Sequence, residues 1–359
     1  MLPEHWICGW DVGGAHLKFA LADDRGGLQR VGTYYTPLWQ GLDHLDRAIA
    51  EVVATLPEGT VAHRITMTGE LVDLFDDRAR GVEALSSRMA ASLPVGSVRV
   101  FAGPEGFVAP SLAREHWARI ASANWFATAS LVARSLDQAL LVDIGSTTTD
   151  LVPIVDGRVR ARGYSDRERL ALQELIYTGV VRTPVMALTT RVPLGGDWIG
   201  LTAEHFATTA DVYRLTGELA EQADLGDTAD GRGKTEKDSA ARLARMVGED
   251  ACRQEPAVWR QLARYLRDCQ LGQLGDALAR QCSLDLTDDA PLVGVGVGRF
   301  LVEQAAARIG RPYLTLSDLV HGDEACAVED AAECAPAAAV ALLAAGANGV
   351  DGIHHADRD

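Results

Sequence analysis

Lysine is nearly missing from this chain. Of 34 basic side chains only Lys18, Lys234 and Lys237 are lysine, which leaves 31 arginines. GC-rich coding accounts for the arginines but leaves open why three lysines persist. A compact ammonium suits phosphate or metal-bridged oxygens, where a planar guanidinium fork does not. Cysteine is sparse too: six, with no Cys-x-x-Cys pair and no Cys/His cluster at zinc-ligand spacing. That excludes a zinc ribbon or a disulfide framework and points to a reducing cytoplasm. No run of about 18 uncharged apolar residues occurs, so no transmembrane helix is expected. The opening residues carry neither the basic stretch nor the apolar run of a secretory leader. Positive charge is short overall, with 50 acidic side chains and a net charge of −16. This argues against a nucleic-acid or anionic-membrane surface. Small-molecule substrates are the expected partners, and a homo-oligomer is left open.

What is present is a packed α/β chain. Its 359 residues are 47% apolar, enough for two domains with cores of their own. Strands are expected at 7–11, 16–22, 64–68, 98–101, 139–144, 150–155 and 291–298. Helical periodicity marks 42–56, 82–93, 112–134, 235–248, 258–281, 299–309 and 331–346. Strands alternating with helices indicate an α/β architecture. A weak internal repeat runs through it. Asp11-Val12-Gly13-Gly14 and Asp143-Ile144-Gly145-Ser146 each end one apolar strand and precede another, 132 residues apart. The expected organisation is a first lobe over 1–135, on which helix 331–346 packs, a second lobe over 136–330, and a polar tail at 349–359.

Four segments carry candidate chemistry. In WDVGGAHLK, Gly13 and Gly14 let backbone N–H groups approach an anion, Asp11 is placed to hold a hydrated Mg²⁺, and Lys18 to reach the same anion. An ordinary tight hairpin reads equally well. In LVDIGSTTTDL, the hydroxyls of Ser146, Thr147, Thr148 and Thr149 follow Gly145, with Asp143 and Asp150 as metal or base positions. A Thr-rich edge strand is the alternative. In GRGKTEKDSAARLARM, Thr235 is an N-cap with Asp238 in the capping-box position. Lys234 and Lys237 then flank a helix N-terminus, where cations oppose the dipole unless an anion binds. In VGVGVGRF, Gly294 and Gly296 admit either a ligand or close helix packing. Further candidates are Glu70 as base or metal ligand, Trp125 as a stacking surface, His16 as base or turn residue, and Arg182 as a binder of carboxylate.

The paired D-x-G turns, the late glycine motif and the α/β repeat resemble the actin-like ATPase/sugar kinase superfamily. The segments DVGGAHLKFAL and VDIGSTTTDLVPI resemble its hydantoinase A/oxoprolinase branch. GWDVGGAHLK, TGEL, SANW, DIGSTTTDL, TGVVRTPV and GRGKTEKDSAARLARM are similar to the methanofuran biosynthesis proteins of methanogens and methylotrophs. The resemblance implies a two-lobed actin-like, ribonuclease H-like fold with an interlobe cleft. It implies a transferase that condenses 5-(aminomethyl)furan-3-ylmethyl diphosphate with the phenol of γ-glutamyltyramine and releases diphosphate. Lys18, Lys234, Lys237 and Mg²⁺ would neutralise the leaving group, and Glu70 or His16 would take the phenolic proton. ATP is not expected, because Ala15-His16 stands where the superfamily's ATPases carry Thr or Ser. The competing readings are an ATP-dependent small-molecule kinase or hydantoinase-like amidohydrolase, and a nucleotide-dependent switch.

Overall fold

The computed structural model describes residues 5–94, 98–322 and 324–345. The expected tail at 349–359 lies outside them. The chain divides into two compact units. The first comprises Met1–Asp137, Ile154–Arg160 and Thr315–Asp359; the second comprises Gln138–Pro153 and Ala161–Leu314.

The first unit opens with a meander of β1 (His5–Val12), β2 (His16–Asp23) and β3 (Gly27–Tyr35). β4 (Thr60–Met67) lies parallel to β1, β5 (Val98–Phe101) is parallel to β4, and β6 (Phe107–Val108) closes antiparallel to β5. β1 is apolar on nearly every residue because both faces of the sheet are covered. Trp6, Cys8, Trp10 and Val12 point into one core, against Leu45, Ile49 and Val52 of α1 (Asp43–Val53) and Val82, Leu85 and Met89 of α2 (Arg78–Ser92). β3 is not evident from sequence, because GLQRVGTYY lacks an apolar alternation and is largely half-buried. The helix expected over 112–134 is interrupted. α3 (Trp117–Ile120) and α4 (Asn124–Ala133) are separated at Ser122, whose φ of 52° cannot continue a helix.

The second unit repeats the plan. β7 (Gln138–Ile144) and β8 (Thr149–Val155) form a hairpin, and β9 (Arg158–Val159) pairs with the end of β8. After α5 (Asp166–Leu172), β10 (Leu175–Ile176) adds antiparallel to β8. β11 (Arg191–Leu194) and β12 (Asp197–Gly200) form a separate ribbon. α6 (Thr209–Thr216), α7 (Glu236–Met246) and α8 (Pro256–Cys282) enclose a core containing Val212, Leu243, Met246, Trp259 and Leu262. β13 (Leu292–Val295) returns parallel to β7, followed by α9 (Arg299–Ile309) and β14 (Tyr313–Thr315). The strand expected over 291–298 is therefore shorter, ending before Gly296 at φ 82°.

Residues 315–330, expected in the second lobe, belong with the first unit. β15 (His321–Gly322) extends its sheet beside β3, and α10 (Ala325–Asp330) packs there too. α11 (Ala335–Ala345) covers the second face of β1, β2 and β4. The approach is close enough that a Cβ on Gly9 would fall 2.0 Å from the Ala337 carbonyl oxygen. The strand orders β3-β2-β1-β4-β5 and β10-β8-β7-β13-β14 are the same third-second-first-fourth-fifth arrangement. Each unit is thus a ribonuclease H-like α/β layer, and the repeat read from two short motifs extends through both sheets.

Candidate functional site

The two D-x-G turns close with the same hydrogen bond. Gly13 N–H donates to the His16 carbonyl at 2.9 Å, and Gly145 N–H donates to the Thr148 carbonyl at 2.9 Å. Their surroundings differ. In the first unit Asp11 pairs in register with Lys18 on β2 and Thr66 on β4, so all three lie on the sheet face that α11 covers. Burial pushes the Asp11 carboxyl up to about 6, and neighbouring Lys18 opposes the shift. Asp11 Oδ1 has no hydrogen-bond partner, while Lys18 Nζ donates to the Glu333 carbonyl at 2.7 Å. Thr68-Gly69-Glu70 stands against this turn. Thr68 N–H donates to the Val12 carbonyl at 3.0 Å, and a Cβ on Gly69 would meet the same oxygen. Glu70 is only 2% exposed and accepts a hydrogen bond from Ser122 Oγ at 2.9 Å, so the TGE segment builds the turn's wall. His16 is half-buried, with its ring edge-on to Tyr35. Trp125 is not an open stacking surface: it is 2% exposed and packs edge-on against Phe126.

In the second unit Ser146, Thr147 and Thr148 remain half-buried, whereas Thr149 is withdrawn. Its hydroxyl donates to the Thr178 carbonyl at 2.6 Å, so it does not line an anion site. The segment 178–185 backs the turn. Val181 and Arg182 N–H groups both donate to the Ser146 carbonyl, at 3.1 and 2.8 Å. A Cβ on Gly179 would fall 2.5 Å from the Ser146 carbonyl carbon and the Thr147 nitrogen. Arg182 is exposed beside this contact. Asp150 does not act as a metal position: it forms an ion pair with buried Arg169 at 2.7 Å. Asp143 is half-buried, and Gly296 leaves room beside it, since a Cβ there would sit 2.5 Å from Asp143 Oδ1. Gly294 is a packing glycine, because a Cβ would strike the Tyr313 ring at 2.7 Å. Among the described residues, no group of three or more His, Cys, Asp or Glu gathers at metal-binding range.

The lysine segment forms the expected capping box. Asp238 N–H donates to Thr235 Oγ1 at 3.2 Å, and the Thr235 N–H and hydroxyl both donate to Asp238 Oδ2. The Thr235 hydroxyl is thereby committed to the cap rather than to a ligand. Its two lysines differ. Lys234 Nζ donates to the Asp224 carbonyl at 2.6 Å and lies 3.7 Å from Asp224 Oδ1, with Arg214 paired to the same carboxylate. Lys237 is exposed, makes no ion pair or hydrogen bond among the described residues, and lines a cavity of about 660 Å³.

Residues not singled out from sequence connect the turn to this segment. Thr209 N–H donates to the Thr183 carbonyl and its hydroxyl donates to the Gly179 carbonyl, each at 2.9 Å. Asp211, two residues further along α6, accepts from Arg242 Nε at 2.8 Å. Arg242 Nη1 then reaches Asp230 at 3.0 Å and the Gly233 carbonyl at 3.1 Å. A signal was available: Arg242 falls on the apolar stripe of α7 beside Leu243 and Met246, and a charge on such a stripe is buried only when paired.

The model of the hydantoinase/oxoprolinase family matches residues 62–343. The chain is 32% identical over 245 residues to "(4-{4-[2-(gamma-L-glutamylamino)ethyl]phenoxymethyl}furan-2-yl)methanamine synthase" of Methanocaldococcus jannaschii, covering 68% of this chain and 72% of that one. It is 35% identical over 123 residues to the protein of the same name from Methanococcus vannielii, covering 34% of this chain and 55% of that one. Among solved structures it is similar to component A of (R)-2-hydroxyglutaryl-CoA dehydratase from Acidaminococcus fermentans (TM-score 0.46, 10% identity, 95% of this chain and 98% of that one). It is also similar to a ROK family glucokinase from Streptomyces griseus (TM-score 0.46, 16% identity, 94% and 98%). With the family model spanning most of its length, the chain belongs to the hydantoinase/oxoprolinase family.

Proposed function

We propose that this chain is the synthase that joins an (aminomethyl)furan to the phenol of γ-glutamyltyramine. The observation carrying the reading is the alignment over 245 residues with a synthase named for that aryl ether. In the reaction we infer, the furan enters as its furan-3-ylmethyl diphosphate. The methylene–oxygen bond breaks, its electron pair leaves with diphosphate, and the phenolic oxygen bonds to the methylene carbon while its proton passes to a base. Ionisation at a furfuryl carbon is rapid when the departing charge is met by fixed positive groups and donors.

The second unit supplies those groups. The Ser146, Thr147 and Thr148 hydroxyls donate toward the diphosphate, with the exposed Arg182 guanidinium beside them. Lys234 adds positive charge from a loop that Arg242 holds in place. Asp143, half-buried at the end of β7, is the carboxylate of this unit that would hold a Mg²⁺, and the ion would offset leaving-group charge. Asp150 does not fit, being committed to Arg169. Of the two proton acceptors expected from sequence, both in the first unit, Glu70 is enclosed and bonded to Ser122, whereas His16 is half-buried. A free phenol titrates near about 10, so orientation and a base both assist attack. No ATP is needed in this scheme.

The test is diphosphate release by purified protein. Release that requires both the furan diphosphate and γ-glutamyltyramine, with the ether recovered, supports the reading. Steady ADP release from ATP and Mg²⁺ without a furan substrate would overturn it.

A further inference from the structure

The cavity beside α7 is unused by the chemistry above. At about 660 Å³ it falls within the range of small-molecule sites. Its apolar wall comes from Leu215, Ala240, Ala241, Pro256 and Trp259. Trp259 is 1% exposed and its indole N–H donates to the Ala251 carbonyl at 3.0 Å, so it backs this wall from the core and presents no open ring face. The rim carries both signs of charge. Lys237 and Arg260 stand on it as cations, and Glu249 and Asp250 as carboxylates. Arg260 is shared with Glu236 at 3.3 Å and Asp250 with Arg253 at 3.6 Å. The side chains of Lys237 and Glu249 make no ion pair or hydrogen bond among the described residues.

A site with an apolar wall, one unengaged ammonium and one unengaged carboxylate matches a zwitterion with an apolar body. An α-amino acid head offers a carboxylate to Lys237 and an ammonium to Glu249, while an aryl ring covers the wall. Lys237 stands on the first turn of α7, three residues along the chain from Lys234, which precedes the Thr235 N-cap. Resting on the reaction proposed above, we propose that this cavity binds γ-glutamyltyramine, with its glutamyl head at Lys237 and Glu249 and its phenethyl group on the apolar surface of Ala241 and Pro256. This places the glutamyl end here rather than at Arg182.

The experiment measures γ-glutamyltyramine binding directly, by calorimetry, with tyramine as the headless control. A second readout is the alkylation rate of Cys252, an exposed thiol lining the same cavity, followed by peptide mass spectrometry. The wild-type protein should bind γ-glutamyltyramine at least tenfold more tightly than tyramine, and the ligand should slow Cys252 alkylation. Ala241→Trp, which fills the cavity from the helix surface, should abolish both effects. Lys237→Gln should weaken binding by about tenfold, the scale of a hydrogen bond to a charged group. Binding that both variants leave unchanged, or alkylation that the ligand does not slow, would overturn the site. Binding that behaves as expected while no ether forms from the furan diphosphate would overturn the reaction and leave the site standing. Ether formation with an unchanged acceptor KM in both variants would do the reverse.

Discussion

The same hairpin serves opposite ends in the two units. Around Gly13 it buries a carboxylate, with a half-buried ammonium next to it, in the layer beneath α11. Around Gly145 it leaves three hydroxyl residues half-buried and braces them from behind through Gly179. The closing hydrogen bond is common to both turns, so the difference comes from what packs behind them. A motif match therefore locates a turn, and the neighbouring elements decide whether it faces a core or a ligand.

That contrast can be broken at several points. One break is Lys18→Met, which leaves Asp11 without its neighbouring charge. Urea denaturation at pH 7 should show a loss of about 1–1.5 kcal/mol, because a carboxyl already near 6 can protonate instead, and Asp11→Asn should recover most of it. Additive losses would mean that the two groups are not coupled. The next effect is a pH dependence confined to the first unit. Burial and Arg64 hold buried His63 down at about 4, below its ordinary 6.5. Between those values the unfolded chain binds more protons, so this contribution is complete above pH 6.5 and lost as pH falls through 4. It amounts to about 3 kcal/mol and is opposed over about pH 4–6 by the raised Asp11 carboxyl, so His63→Gln should leave stability falling as pH rises through that window. Gly179→Ala should cost about 2–3 kcal/mol in thermal denaturation, because its Cβ meets backbone. Gly14→Ala, which meets only a Val72 methyl at 3.0 Å, should cost under about 1 kcal/mol. The smallest change in stability comes with a clear change in rate. Lys234→Arg should leave folding within about 0.5 kcal/mol yet lower kcat/KM by about 2 kcal/mol of transition-state stabilisation. An unchanged kcat/KM would remove Lys234 from the diphosphate site.

Most of the α/β plan is legible in the residues, because apolar strands and the two D-x-G turns are short-range patterns. The capping box at Thr235 is legible for the same reason: its partners lie three residues apart. Long-range contacts are not. Nothing local shows that Asp150 is committed to Arg169, that Thr149 bonds to Thr178, or that Gly294 makes room for Tyr313. The break at Ser122 was hidden because Ala-rich sequence on both sides has high helix propensity, while the turn is fixed from outside by Glu70. The chain alone did not reveal that Lys234 is tethered while Lys237 stands free at a cavity.

The contact between Gly9 and α11 bears on the order in which the chain becomes a protein. β1 leaves the ribosome well before the helix that covers its second face, which lies more than three hundred residues downstream. Until then Asp11 and Lys18 face water, where a carboxylate and an ammonium need no partner. The first unit is thus begun early and sealed late, and its Asp11 carboxylate is buried only when the cover arrives. A nascent chain halted before residue 335 would hold every strand of the second sheet and a first sheet still open on one side.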